Sequence, residues 1–547
     1  MLKSALKYFR WLWRRSEGVR WALFWNIFLG IVNIGLNLYF IFLCKQLVDI
    51  ATGVSSGSLA LNTALVFVVI ILRLVVAAYN TRLENLTNSR MNFIIRASLF
   101  SDIVGARWFG REKHHTGDTV NRLETDVSTV TNVICTDLPQ IVTTIVHLIA
   151  AVIFLALMDW KLALVLVSMT PLLVLISKVF FRKMRVLTKR IRETESKVQS
   201  HLQETLQHRV VIQSMEKGAL MGDRLDALQT MEYGQIVERT RFNIISRTIV
   251  TASFSFGYIA AFLWGVYGIH RGVTSFGMMT AFLQLVGQVQ RPIVNLMRQI
   301  PSFIYATASI DRLMELETLP KEETGDPVRI AGPVGIRLQD VSFRYPDGDR
   351  DILKQLTFDF RPGDRIAIKG ETGAGKSTLI RLMLALLHPT SGRVSLYGPS
   401  GEEVEASPLT RCNIVYVPQG NSLFSGTVRD NLLMGDPDAS ETAMTEALKT
   451  AVADFVLDLP EGLDTMCGEG GAGLSEGQAQ RIAIARGLLR SGSVMLLDEF
   501  SSSLDPSTES RLMENLVAAY PSKTMIFITH REKIAEYCTS TLKLERL

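Results

Sequence analysis

Apolar positions fall along this chain in two patterns. Up to about residue 300 they form long, nearly unbroken runs; beyond residue 335 they form strand-sized runs and helical stripes broken by glycine, proline and charge. Crossing a bilayer takes about 20 mainly apolar residues, and six runs qualify: 21–43, 59–79, 138–158, 161–181, 248–269 and 276–297. Only Met158-Asp159-Trp160-Lys161 separates the third from the fourth, which predicts a tight hairpin. The segments 80–137 and 182–247 lack proline and continue the helical pattern of the spans before them. They read as spans extended far beyond the membrane, turning back near Arg111–Asp118 and Gln207–Ser214. The His114-His115 pair at the first turn suits a solvated turn better than a metal site. Residues 1–20 interleave Tyr8, Phe9, Trp11 and Trp13 with basic side chains, as an amphipathic helix lying at the interface would, or an ordinary basic flank.

Residues 317–335 are rich in proline, glycine and charge and read as a linker. Beyond them a β-branched run, Arg365–Lys369, leads into Gly370–Thr378, GETGAGKST, and then into apolar residues at helical spacing (Leu379, Ile380, Leu382, Met383, Leu386, Leu387). Strand, glycine loop and helix form a phosphate cradle: successive backbone N–H groups and the positive helix end converge on one anion. Gly373 and Gly375 let the backbone curl close to it, Lys376 would reach the outer phosphates, and the Ser377 hydroxyl would help to hold Mg²⁺.

Other short motifs surround this loop. Tyr345, some 25 residues upstream, would stack on a base or simply pack its strand. Gln419 follows the β-rich run Val415–Pro418 and is placed to coordinate Mg²⁺ or water. Leu474-Ser475-Glu476-Gly477-Gln478 opens a helix with Ser475 at a capping position. Val494–Leu497 is continuous enough for a buried parallel strand and ends in Asp498, suited to Mg²⁺, and Glu499, suited to taking a proton from water. A last apolar strand, Met525–Ile528, delivers Thr529 and His530, whose imidazole would contact a γ-phosphate.

Composition adds little to this. The 48% hydrophobic content and mean hydropathy of +0.21 average two unlike halves, and a net charge of +5 does not point to nucleic acid. Where the charge lies matters more. Lys and Arg crowd the first twenty residues and the 80–137 and 182–247 segments, while the intervening loops are short and nearly uncharged. By the positive-inside rule the N-terminus, both long segments and the C-terminal domain are expected in the cytosol. The five cysteines are scattered, without metal or disulfide spacing. Asn33, Asn37, Gln284, Gln288 and Asn295 inside the spans suit either a polar cavity or inter-helix hydrogen bonds; for Arg73 and His147, packing or headgroup contact is favoured.

In this order the elements resemble an ATP-binding-cassette exporter half-transporter, over essentially the whole chain. Leu423–Asn431 and Gly468-Glu469-Gly470-Gly471 are similar to the exporter branch. The resemblance implies a multidomain membrane protein: an all-α six-helix transmembrane domain of type I exporter fold and an α/β P-loop NTPase domain. The expected division is 1–20 interfacial helix, 21–316 transmembrane domain, 317–335 linker and 336–547 nucleotide-binding domain. It further implies that Tyr345 stacks on adenine and that Gly370, Gly373, Gly375, Lys376, Ser377 and Thr378 bind the phosphates of ATP. Ser377, Gln419 and Asp498 are then linked to Mg²⁺, Glu499 is the catalytic base and His530 the γ-phosphate switch. Ser475, Gly477 and Gln478 are expected to meet ATP held by a second half-transporter, with a homodimer favoured over a heterodimer. The expected setting is a bacterial inner membrane, in contact with lipid and with a transported substrate that the sequence does not name.

This chain departs from the family pattern in three places. Glu476 replaces the first glycine of the usual signature, Ser503 an alanine, and the sequence given ends at Leu547 without the customary last helical segment. An ATP-gated channel or regulatory protein is the alternative reading; intact Glu499 and His530 argue for hydrolysis instead.

Overall fold

The structure is a computed structural model that describes residues 2–108, 116–346, 348–468 and 473–546. The His114-His115 pair, most of the Arg111–Asp118 turn and residues 469–471 lie outside the described residues. The chain divides into two compact units, Met1–Phe100 with Val120–Leu316, and Ser101–Thr119 with Glu317–Leu547.

Helices build the first unit: α1 (Leu2–Arg15), α2 (Arg20–Ala51), α3 (Leu59–Val104), α4 (Thr116–Asn121), α5 (Val127–Asn132), α6 (Leu138–Met158), α7 (Trp160–Gln207), α8 (Arg209–Ser214), α9 (Gly218–His270) and α10 (Phe276–Glu317). The predicted hairpin is one residue long, because the Asp159 side chain accepts from Lys161 N and Leu162 N and so caps α7. The same carboxylate accepts from Trp264 Nε1 at 2.8 Å, tying the hairpin to α9. Among the described residues, α2, α3, the run Gly117–Met158 and α9 are long and apolar enough to cross a membrane. The sixth expected span lies in α10, where Gln284, Gln288, Gln290 and Arg291 dilute the apolar run. Asn37, Gln284, Gln288 and Arg291 line a cavity of about 510 Å³ together with Phe40 and Tyr258. Arg73 instead stacks on Phe40, its guanidinium 5.6 Å from the ring centre.

Two π-helical turns, Arg122–Asp126 and Val133–Asp137, interrupt the helix from α4 to α6. The first turns Arg122 and Asp126 inward, where Asp126 meets Arg312 and Ser309 of α10 and Arg122 meets Glu315 at 3.1 Å. A buried carboxylate needs such partners, and the locally widened helix supplies the reach.

The second unit runs β1 (Gly335–Phe343), β2 (Leu353–Phe360), β3 (Arg365–Gly370), α11 (Lys376–Met383), β4 (Ser391–Tyr397), β5 (Glu403–Glu405), β6 (Ile414–Val417), β7 (Gly426–Thr427), α12 (Val428–Leu433), α13 (Glu441–Thr450), β8 (Met466–Cys467), α14 (Glu476–Leu489), β9 (Val494–Asp498), α15 (Pro506–Ala519), β10 (Thr524–Ile528), α16 (Glu532–Glu536) and β11 (Ser540–Leu544). An antiparallel sheet has the order β2-β1-β4-β5, and a parallel sheet the order β11-β3-β10-β9-β6. Every residue of β9 and β10 is buried, as a parallel strand covered on both faces requires.

Segment 317–335 is held against this unit along its length. Glu322 takes a bidentate pair from Arg411 at 2.7 Å, Val328 N donates to Leu409 O, and Ile330 N donates to Asn413 Oδ1. The end of α3 and the residues after it join this segment: Arg107 N donates to Pro320 O, Glu322 N to Gly105 O, and Lys321 pairs with Asp102 at 2.7 Å. One expectation is corrected. The apolar spacing through Leu386 and Leu387 suggests a longer helix, but α11 ends at Met383 and Ala385 is left-handed, with φ 49. Arg411 donates to the carbonyls of Leu384 and Ala385, satisfying the helix end from 26 residues away.

Candidate nucleotide site

Four loops leave the carboxyl ends of adjacent parallel strands β3, β10, β9 and β6, the edge of an open α/β sheet where ligands bind. The loop after β3 carries the glycines. Gly373 and Gly375 have φ of 87 and 93, and a Cβ on Gly375 would lie 3.0 Å from Ile352 Cγ2. Both the left-handed backbone and the close packing therefore call for glycine. Lys376 is buried, and its ammonium donates to the carbonyls of Gly370 and Glu371 at 2.7 and 3.0 Å. Ser377 and Thr378 follow in the first turn of α11. Tyr345, just beyond β1, sets its ring edge-on to Phe343, and its hydroxyl lies 3.1 Å from Thr378 Oγ1.

The other three loops meet around one carboxylate. Gln419 Nε2, beyond β6, donates to Glu499 Oε2 at 2.6 Å, and His530 Nε2, beyond β10, lies 3.5 Å from Glu499 Oε1. Glu499 itself has φ 44, costly for a residue with a Cβ. Its N–H donates to Ile528 O, and its carbonyl accepts from Gln480 Nε2 and Ser502 N, so hydrogen bonds on both sides hold the unfavourable turn. Asp498, the last residue of β9, is 4% exposed. Burial first, then the Glu499 charge, pushes its carboxyl up to about 6, while Arg381 and Lys376 pull the other way. Burial and the Asp498 charge push the Tyr416 phenol in β6 up to about 12.

Ser475, Gly477 and Gln478 occupy the start of α14 and, among the described residues, make no hydrogen bond to the glycine loop. Ser475 and Gln478 form a reciprocal capping box, with Ser475 N donating to Gln478 Oε1 at 2.9 Å. A Cβ on Gly477 would come within 2.7 Å of Ser503 O, which explains this glycine from its own chain. Glu476 is exposed in the first turn.

Sequence reasoning missed three side chains. Gln480, fully buried, supports the Glu499 carbonyl; a lone amide among Ala479, Ile482 and Ala483 was its only signal. Arg531 donates to Ser502 O and Leu504 O and pairs with buried Glu509 at 3.1 Å, fixing the loop after β9. Arg381, half-buried on α11, reaches both Tyr345 and Trp108.

Two sequence families match the chain, the ABC transporter transmembrane region over residues 23–293 and the ABC transporter domain over 353–502. A Bacillus subtilis (strain 168) protein provisionally named multidrug export ATP-binding/permease protein YgaD is 30% identical over 93% of this chain and 90% of its own length. The chain belongs to the ABC transporter family. The ATP-dependent lipid A-core flippase of Pseudomonas fluorescens (strain Pf0-1) is 31% identical, over 83% of this transporter and 75% of the flippase. Among solved structures, a bacterial Atm1-family ABC exporter with ATP bound superposes with a TM-score of 0.79, covering 96% of this chain and 94% of that one. At 22% identity that likeness shows the exporter fold alone. The transporter is thus an ATP-driven exporter, a helical membrane domain and an ATP-hydrolysing cassette in one chain. As a half-transporter it works as a dimer.

Proposed function

We propose that two copies of this chain form the exporter, in a bacterial inner membrane with N-terminus and cassette in the cytosol, and that Glu499 is its catalytic base. The observation that carries the assignment is the Glu499 carboxylate, held by Gln419 and facing His530 where three strand ends converge. Tyr345 takes the base of ATP; Gly370 to Thr378 take the phosphates, with Lys376 turning outward from the loop carbonyls. Glu499 accepts the proton of the attacking water, His530 Nε2 contacts the γ-phosphate, and Gln419 keeps the carboxylate aimed.

Ser377, Gln419 and Asp498 are the residues to hold Mg²⁺. The donor set fits, because a carboxylate that burial and then the Glu499 charge push up to about 6 is what a divalent cation relieves. When bound, Mg²⁺ would neutralise charge on the phosphate oxygens. The start of α14, with Ser475, Gly477 and Gln478, faces ATP on the second copy; among the described residues it makes no hydrogen bond to its own glycine loop, which supports this. For cargo, the polar and aromatic lining of the cavity between α2, α9 and α10 suits amphipathic molecules, as do the names of two relatives, a multidrug exporter and a lipid A-core flippase.

Glu499→Gln tests the assignment. Turnover of ATP in the reconstituted chain should fall by at least about 100-fold while ATP still binds. Unchanged turnover would overturn the site.

A further inference from the structure

Arg381 stands outside every motif described above, yet it touches both ends of a short path. Its guanidinium carbon lies 4.8 Å from the centre of the Trp108 ring, and Nη1 points to the Tyr345 hydroxyl at 3.4 Å. That hydroxyl is also 3.1 Å from Thr378 Oγ1, in the same helix turn as the phosphate-binding residues. Trp108 and Tyr345 both pack, partly buried, on the core beneath β1 and β3. Trp108 comes four residues after the end of α3, the helix of the second span, and the intervening chain is pinned to residues 320–322 by backbone bonds. A planar guanidinium stacked on an indole has a fixed orientation, and its remaining N–H groups are aimed accordingly.

We propose that Arg381 is a positioning residue that sets the base-stacking ring of Tyr345 according to where Trp108 lies, so that nucleotide affinity depends on the end of the second membrane helix. This rests on Tyr345 stacking on the base. When Trp108 shifts, the guanidinium turns with it, and the Tyr345 hydroxyl is left to Thr378 alone. Through Trp108 the effect falls on binding of the base; Arg381 itself also draws the Asp498 carboxyl down, so its own removal reaches the Mg²⁺ residues as well.

The test is steady-state turnover of ATP and of UTP, a poorer stacking partner, by the full chain in lipid nanodiscs. Arg381→Ala and Trp108→Ala should each raise KM for ATP by about three- to ten-fold and narrow the preference for ATP over UTP, with kcat within two-fold in Trp108→Ala. The double variant should be no worse than the worse single one, since both break one path. Trp108→Phe, which keeps a ring face under the guanidinium, should restore KM, and thermal melting of each variant checks folding. Multiplying effects on KM in the double variant, a loss in kcat alone in Trp108→Ala, or an unchanged KM in Arg381→Ala overturns the proposal. Tyr345→Ala separates the two readings. If it raises KM while Arg381→Ala does not, only the path fails; if it leaves KM unchanged, the role of Tyr345 and the path fall together.

Discussion

Asp498 is held where its charge is unwelcome, and that has a sign. Its folded value, about 6, lies above the ordinary 3.8, so between these values the folded chain keeps a proton that the unfolded chain has lost. Stability therefore falls as pH rises through that window, by about 3 kcal/mol, and is flat above it. Asp498→Asn removes the penalty: without nucleotide the variant should melt higher than the parent at pH 7.5, and the gap should close near pH 4. Melting curves at both values check it. Glu476 stands in the first turn of α14, where a carboxylate suits the helix itself. If the start of α14 meets the triphosphate of the second copy, its carboxylate opposes the positive helix end that would otherwise attract phosphate. Glu476→Gly should then lower KM for ATP and raise turnover by about two- to ten-fold; a slower variant would mean that the side chain turns away.

Within single elements, the π-turn at Arg122–Asp126 is the most consequential irregularity. It buries Asp126 against Arg312, whose Nε donates to it at 2.7 Å. Arg312→Met would strand that carboxylate, at a cost of about 3 kcal/mol, and should lower the melting temperature of the membrane unit by several degrees. No sequence pattern announces such a turn, because π-turns follow from a partner on another helix. The same reason separates what could be read in the cassette from what could not. Gln419, Asp498 and His530 were legible because each follows an apolar run that can only be a buried strand, so its place at a strand end follows directly. The end of α11 was not, since Arg411 decides it from a remote loop; nor was Gly477, whose reason is the carbonyl of Ser503. Arg381 looked like any polar residue on a helix surface. In the spans, apolar periodicity gave lengths but not facing, so Asn37 and Gln284 met only once the helices were packed.

At the scale of the molecule, the proposed role of the α14 start, to meet ATP held by a second copy, gives each cassette two half-sites. Reconstituted alone, the chain should hydrolyse ATP with a Hill coefficient between 1 and 2, and amphipathic compounds should stimulate it. A coefficient of 1 with no stimulation would favour an unequal pair with another half-transporter. Capturing such a dimer requires a hydrolysis-dead chain, and the backbone at Glu499 decides which one to make. Asparagine accepts a left-handed φ more readily than glutamine, so Glu499→Asn should express and survive purification better. It is one methylene shorter, though, and would lose the 2.6 Å contact with Gln419. Asparagine is then the choice for yield, and glutamine the choice for a trapped state whose geometry still reports on the active one.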